Sequence, residues 1–475
     1  MQFITWQFII FFIIAMLLLL SRSKQKRNIL LLLNIIFYLY SGIAGFLNLL
    51  VFTVITFVGG KSIEKNNSKV LFIFVLILSL LPLVLYKYTD FIIRDCLHIS
   101  EGVLNNISIP LGISFVTFQG VGYIIDIFKG KYKAEKNIID YFIYLSLFTS
   151  VISGPINRPE NILMQIKKYN ESEFNYDRCV QGLRYVILGI FLKVLISGRM
   201  AQVVEIPFSN PYNSSGLVLL IASICFTIQI FCDFCGYSYM AFGLSKIIGI
   251  DVIQNFKHPY FSYTITEFWR RWHISLSSWL RDYIYIPLGG SRCSKLRSYL
   301  NLLITFIISG LWHGASWNYI FWGLINGLFL VTEKITNLNK TPGNKVFRVI
   351  RRIFNLLLLN FMWIFFRAKT LSDAFIILYK IIFETPKNVV TSLSLSGALD
   401  IVSKLGTTAS NFIAAVISVI VFIIFEILVD RKDNPIEFFE NKYSVVRWCK
   451  YVTIIFLVLI FGVTGQAGEF IYGNF

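Results

Sequence analysis

Charge is scarce in this chain. Asp, Glu, Lys and Arg make up 15% of its 475 residues, 56% are hydrophobic and the mean hydropathy is +0.67. A soluble globular protein carries about 25% charged residues, so a single soluble core is excluded and a polytopic helical membrane protein is the class that remains. Strict apolar–polar alternation is also missing, which excludes a transmembrane barrel. Histidine is rare: the four residues at 98, 258, 273 and 313 show neither HxxxH nor a Cys/His cluster, so the pattern argues against a metal site. No GxxxxGK followed by Ser or Thr occurs, so nucleotide hydrolysis has no support. The seven cysteines are odd in number and sit mostly in or beside apolar runs, unlike a disulfide framework. Cys232 and Cys235 form CxxC without a βαβ context and read as small packing residues.

Acidic residues are outnumbered, 26 to 44, for a net charge of +18. The excess gathers in loops at 129–136, 334–352 and 431–450, as the positive-inside bias requires, and does not call for nucleic acid. Residues 1–20 lack a basic leader, and SRSKQKR follows at 21–27. This charge order is opposite to that of a cleavable signal and predicts a retained span with Arg22, Lys24, Lys26 and Arg27 inside.

Long apolar runs are what the chain has in abundance. They lie near 3–20, 28–43, 44–60, 69–87, 107–128, 138–156, 179–198, 215–233, 234–249, 299–316, 317–333, 350–367, 411–429 and 450–464. Several are short or broken by Gly and suit re-entrant helices, which leaves roughly ten to twelve full crossings. With 431–450 cytoplasmic, the tail GQAGEFIYGNF emerges outside, both ends are extracytoplasmic and the number of crossings is even. The expected organisation is one integral membrane domain over 1–475: N-terminal helices at 1–106, a core at 107–333, and C-terminal helices and tail at 334–475. No internal repeat is evident, and 386–410 reads as a loop.

Thr264-Ile265-Thr266-Glu267 fits a capping box and predicts an amphipathic helix over 264–285, stopped by Pro287 and Gly289-Gly290. At 100° per residue Glu267, Arg270, His273, Ser277 and Arg281 share one face. Two readings stay open for Arg270 and Arg271: headgroup anchors of an interfacial helix, or a cationic wall that binds the phosphates of a cofactor tail. Two neighbouring cations would favour neutral His273.

Residues 298–332 contain no Asp, Glu, Lys or Arg, and His313 is their one group that titrates near neutrality. An ionisable side chain in such a run is functional by default, and imidazole can take a proton from a hydroxyl and return it. The alternative is a histidine hydrogen-bonded to a neighbouring helix. Gly310 and Gly314 permit close approach of a backbone or a substrate, and Trp312 and Trp317 are expected to wall the ring. Asp233 stands in the apolar run around it without a nearby cation in sequence, and is expected to pair with Arg270, Arg271 or a tyrosine. A catalytic role for it is the lesser reading.

TEFWRRWHISLSSWLRDYIYIPLGG at 266–290 and GLWHGASWNYIFWG at 310–323 resemble the membrane-bound O-acyltransferase (MBOAT) superfamily, and most closely its bacterial alginate O-acetyltransferase (AlgI-like) branch. IPLGISFVTFQGVGYIIDIFKG, SGPINRPE and FCDFCGYSYMAFGL add to the resemblance. It implies an all-α fold, a ring of transmembrane and re-entrant helices around a central tunnel. It also implies catalytic roles for His313, the tunnel histidine, and His273, the second histidine. Acetyl-CoA or an acyl-carrier-protein thioester is the implied donor, and a cell-envelope or secreted polysaccharide in a bacterial plasma membrane setting the implied end point. An extracytoplasmic partner of SGNH-hydrolase type is implied to complete the transfer. Phe470-x-Tyr472-x-x-Phe475 is similar to an aromatic terminus linked with outward acyl relay, against a plain reading as interface anchors. The d-alanyl transferase branch shares RRWHISLS but lacks the IPLGG and HGASW forms. Tyr239 and Asn326 depart from the branch, where Asp and His are usual. A lipid-linked glycan transporter is the rival class, and would show repeats and paired intramembrane charges.

Overall fold

The computed structural model describes residues 2–21, 24–99, 109–152, 154–340, 343–430, 432 and 434–463. Helices carry the chain, and no strand occurs among the described residues. Seven helices there are long and apolar enough to cross a bilayer: Ile43–Asn66, Lys69–Tyr88, Tyr176–Ser209, Gly216–Ile247, Lys345–Arg367, Ala409–Val429 and Ser444–Phe461. Trp6–Leu19 and Ile113–Phe128 are apolar but shorter. Polar caps satisfy the amides at the start of several of these runs: Ser68, Asn344 and Thr408 accept from the backbone N–H of Leu71, Val346 and Asn411.

Three stretches differ from the sequence expectation. Residues 215–249 form one helix, Gly216–Ile247, instead of two. Gly236 does not break it, because a neighbouring helix packs there: a Cβ at Gly236 would stand 2.7 Å from the Gly189 carbonyl oxygen. The apolar run at 138–156 is helical only over Ile138–Ser146; Leu147 leaves the helical region and Gly154-Pro155 lie beyond. The 386–410 segment, read as a loop, holds two short helices, Thr385–Thr391 and Leu395–Lys404, the second capped by Ser394.

The chain gathers into two compact units. The first comprises Met1–Val186, Ser238–Asn255 and Ser278–Tyr283. Its core holds fully buried Tyr123, Tyr141, Tyr144 and Phe148, and ion pairs such as Lys167–Glu135 at 2.7 Å and Arg178–Asp251 at 3.0 Å tie its polar edges. The second comprises Ile187–Tyr237, Phe256–Ser277 and Ile284–Phe475, with Trp272, Trp322 and Trp363 as its largest buried side chains. His273 and His313 both belong to the second unit.

Candidate active site

His313 lies at the turn of a helical hairpin. Ser294 caps Lys295–His313, and Trp317–Ile335 returns after Gly314–Ser316. The two helices pack through glycine: a Cβ at Gly310 would fall 2.0 Å from the Tyr319 carbonyl oxygen, and one at Gly323 2.2 Å from that of Phe306. The close approach expected at Gly310 is therefore made by the hairpin's own backbone. His313 is the last residue of its helix and 1% exposed. Its ring meets Trp312, Trp322 and Phe366 at centroid distances of 5.0, 5.1 and 5.4 Å. Trp317, expected as a wall, is 50% exposed.

His273 corrects the expected helix. The chain forms Ile265–Arg271, breaks at Trp272 and His273, and resumes as Ile274–Leu280 and a π-helical turn Arg281–Tyr285. His273 has φ +44°, in the left-handed region. A continuous helix turns consecutive side chains by 100°, whereas the break buries Trp272 and His273 together, both at 0% exposure. The His273 ring packs on Phe234 at 4.7 Å and on Trp312 at 5.8 Å. One indole, Trp312, thus touches both imidazoles. His273 itself lies outside the seven spans, and burial pushes its pKa down, so the ring is neutral.

The cationic face dissolves accordingly. Arg270 is exposed. Arg271 holds Glu267 at 2.6 Å and donates to the His258 carbonyl at 3.3 Å. Arg281 belongs to the first unit, is 62% exposed, and pairs with Asp282 at 2.8 Å, a carboxylate that Arg158 also reaches at 2.9 Å. Ser277 is half-buried and donates to the Trp272 carbonyl at 3.2 Å. Neutrality of His273 follows from burial, and the arginines do not flank it on one helical face.

Other residues join the two histidine segments. Thr264 accepts from Glu267 N–H at 2.9 Å, while the Glu267 carboxylate takes the Tyr263 amide at 2.8 Å, one residue outside the expected capping box. Glu333, on the hairpin, accepts from Ile265 N–H at 2.6 Å, Thr266 N–H at 2.9 Å and Thr266 Oγ1 at 2.8 Å. An anionic cap on a helix N-terminus is favoured by its exposed amides and dipole. Asn326 accepts from Trp269 Nε1 at 3.2 Å and donates to the Trp322 carbonyl at 2.8 Å.

Asp233 forms its salt bridge with Lys193, not with the expected Arg270 or Arg271, and Ser197 Oγ donates to it at 3.3 Å. Both charged residues are buried, at 1% and 2% exposure, and Lys193 lies in a π-helical turn, Phe191–Ser197. His258 and Glu426 form a second buried pair at 3.3 Å. A buried charge pair, Lys193 with Asp233, is therefore present where the sequence reading found none. Tyr472, Phe470 and Phe475 lie outside the described residues. Sequence reasoning missed Trp322, Phe366, Glu333 and Lys193. Two carried a visible signal: Glu333 as the first charge after the uncharged run, and Lys193 as the lone charge of YVILGIFLKVLISG.

Residues 129–376 match the model of MBOAT, the membrane-bound O-acyltransferase family. A probable alginate O-acetylase AlgI of Azotobacter vinelandii is 35% identical over 323 residues, 67% of this chain and 64% of the relative. A peptidoglycan O-acetyltransferase of Helicobacter pylori is 32% identical over 316 residues, 61% of this chain and 60% of the relative. A teichoic acid D-alanyltransferase of Bacillus subtilis is 29% identical over 276 residues, 56% of this chain and 69% of the relative. The chain spans less than two thirds of the length of the alginate and peptidoglycan relatives. With a family match over more than half of its length that takes in both buried histidines, the chain belongs to the membrane-bound O-acyltransferase family.

Proposed function

We propose that the chain moves an acetyl group from a thioester donor on the cytoplasmic side to a hydroxyl acceptor across the membrane, destined for a cell-envelope or secreted polysaccharide. The observation that carries this reading is two buried imidazoles, His313 and His273, in contact with one indole, Trp312. The relatives named for alginate and peptidoglycan acetylation support the acetyl group and the polymer end point.

In this reading the acceptor hydroxyl gives its proton to His313 as its oxygen bonds to the thioester carbonyl carbon. The tetrahedral oxyanion collapses, the carbon–sulfur bond breaks, and the thiolate takes the proton back from the imidazolium. The transient positive charge forms at the C-terminal end of Lys295–His313, where the helix dipole favours a cation. Neutral His273 donates its ring N–H to the oxyanion. Exposed Arg270 is free to take donor phosphates, whereas Arg271 and Arg281 first release their carboxylates. The donor is acetyl-CoA or an acetylated carrier protein. The acceptor is the Tyr472 hydroxyl, as a transient ester, or a hydroxyl on an outside partner of SGNH-hydrolase type.

The D-alanyltransferase relative favours a second reading, d-alanyl transfer to teichoic acid. Purified protein in detergent, given radiolabelled acetyl-CoA or a labelled d-alanyl carrier protein, separates the two. Transfer of label to a hydroxyl from the acetyl donor alone is expected. Transfer from the d-alanyl donor alone would replace the acetyl reading, and no covalent transfer from either would support the transporter class.

A further inference from the structure

His258 shares the left-handed backbone of His273, with φ +46°. It is buried, and its Nδ1 lies 3.3 Å from Glu426 Oε2 in the span Ala409–Val429. The imidazole is the one hydrogen-bond partner of that carboxylate among the described residues. Stripping a buried carboxylate of its partner is costly, so Glu426 holds the ring in place.

The segment around His258 is a strap that meets three spans of the second unit. Tyr260 Oη donates to the Thr227 carbonyl in Gly216–Ile247 at 2.5 Å. From Lys345–Arg367, Asn355 Nδ2 donates to Ser262 Oγ at 2.9 Å and Arg352 Nη2 to Tyr263 Oη at 3.1 Å. His258 supplies the contact to Ala409–Val429. The strap in turn grips the residues just before His273. Lys257 N–H donates to the Arg271 carbonyl at 3.0 Å, and Arg271 Nη1 donates to the His258 carbonyl at 3.3 Å. Trp272 packs on Phe256 and Tyr260, with ring centroids at 5.1 and 6.2 Å. Strained backbone persists where its surroundings over-determine it, and these contacts join the two left-handed histidines.

We infer that His258 and Glu426 form a latch that seats this strap and, through Arg271 and Trp272, sets the direction of the His273 ring. The inference rests on the oxyanion role proposed above for His273. His258 is a positioning residue, since it acts through the strap.

The test uses the full chain in lipid nanodiscs with labelled acetyl-CoA. His258→Ala and Glu426→Ala should each lower kcat by on the order of ten- to hundredfold, as misplacement of a reacting group does, with the donor KM unchanged. His258→Asn should recover part of the rate and guards against misfolding of the alanine variant, since asparagine tolerates the left-handed region and its amide can donate to Glu426. In the His273→Gly background, His258→Ala should cost no further rate, because effects within one network do not add. Hydrogen–deuterium exchange of peptides over 256–273 should quicken in both alanine variants, while that of Lys295–His313 stays as in the wild type. Unchanged exchange in both variants overturns the latch, and additive rate losses in the double variant overturn its action through His273. If His273→Gly transfers at the wild-type rate, the oxyanion role fails instead, and exchange alone decides the latch.

Discussion

A histidine in the left-handed region costs roughly 1–2 kcal/mol, and such backbone strain persists where surrounding structure enforces it. At His273 the enforcement is visible: Trp272 is buried on one side, and Phe234 and Trp312 clasp the imidazole on the other. This backbone predicts an unusual order among variants. His273→Gly should keep the fold, since glycine takes φ +44° freely, while acetyl transfer falls by roughly 10²–10³, the effect of losing one oxyanion donor. His273→Val should lose both activity and thermal stability, because a branched side chain resists that conformation. Melting curves and initial rates check the pair; equal stability of the two variants would count against the strained-backbone account. His313 was legible in the sequence because a single titratable group in an uncharged run is conspicuous. The setting of His273 was not, because a helical wheel assumes an unbroken helix and the break depends on which rings the tertiary core supplies.

Helices and turns set the distance between the two imidazoles. Glu333 fastens the amino end of Ile265–Arg271 to Trp317–Ile335 with three hydrogen bonds. Glu333→Gln keeps the size but turns an amide donor toward backbone donors. Its expected effect is a lower kcat with unchanged donor KM, and Glu333→Asp should recover part of the rate. An unchanged kcat in Glu333→Gln would remove the clamp. The hairpin offers a sharper steric test. Gly310→Ala puts a methyl group 2.0 Å from the Tyr319 carbonyl oxygen, and overpacking of this kind costs typically about 1–3 kcal/mol, readable as a lowered melting temperature. Apolar period and caps marked most helices in advance. They did not mark the helices at Thr385–Thr391 and Leu395–Lys404, which are short and polar-leaning in sequence. Nor could they pair Asp233 with Lys193, forty residues away in sequence, on a neighbouring helix.

At the scale of the molecule, charges are few, and Lys193 and Asp233 are paired deep in the second unit. Removing one member of a buried pair leaves the other uncompensated and costs about 3–5 kcal/mol, whereas replacing both by apolar residues is near neutral. Lys193→Met or Asp233→Asn alone should therefore unfold at lower temperature than the double variant Lys193→Met/Asp233→Leu; a double variant less stable than either single one would contradict this balance. Apolar length and basic loops made a polytopic helical protein evident, while the return of the chain to each unit in three separate segments depends on contacts distant in sequence that no local pattern encodes. The central claim is that His313 is the base. The most direct measurement is acetyl transfer from labelled acetyl-CoA by His313→Ala protein that retains the wild-type melting temperature. The account predicts a loss of at least about 10²–10⁴ in rate. Wild-type turnover by that folded variant would contradict it.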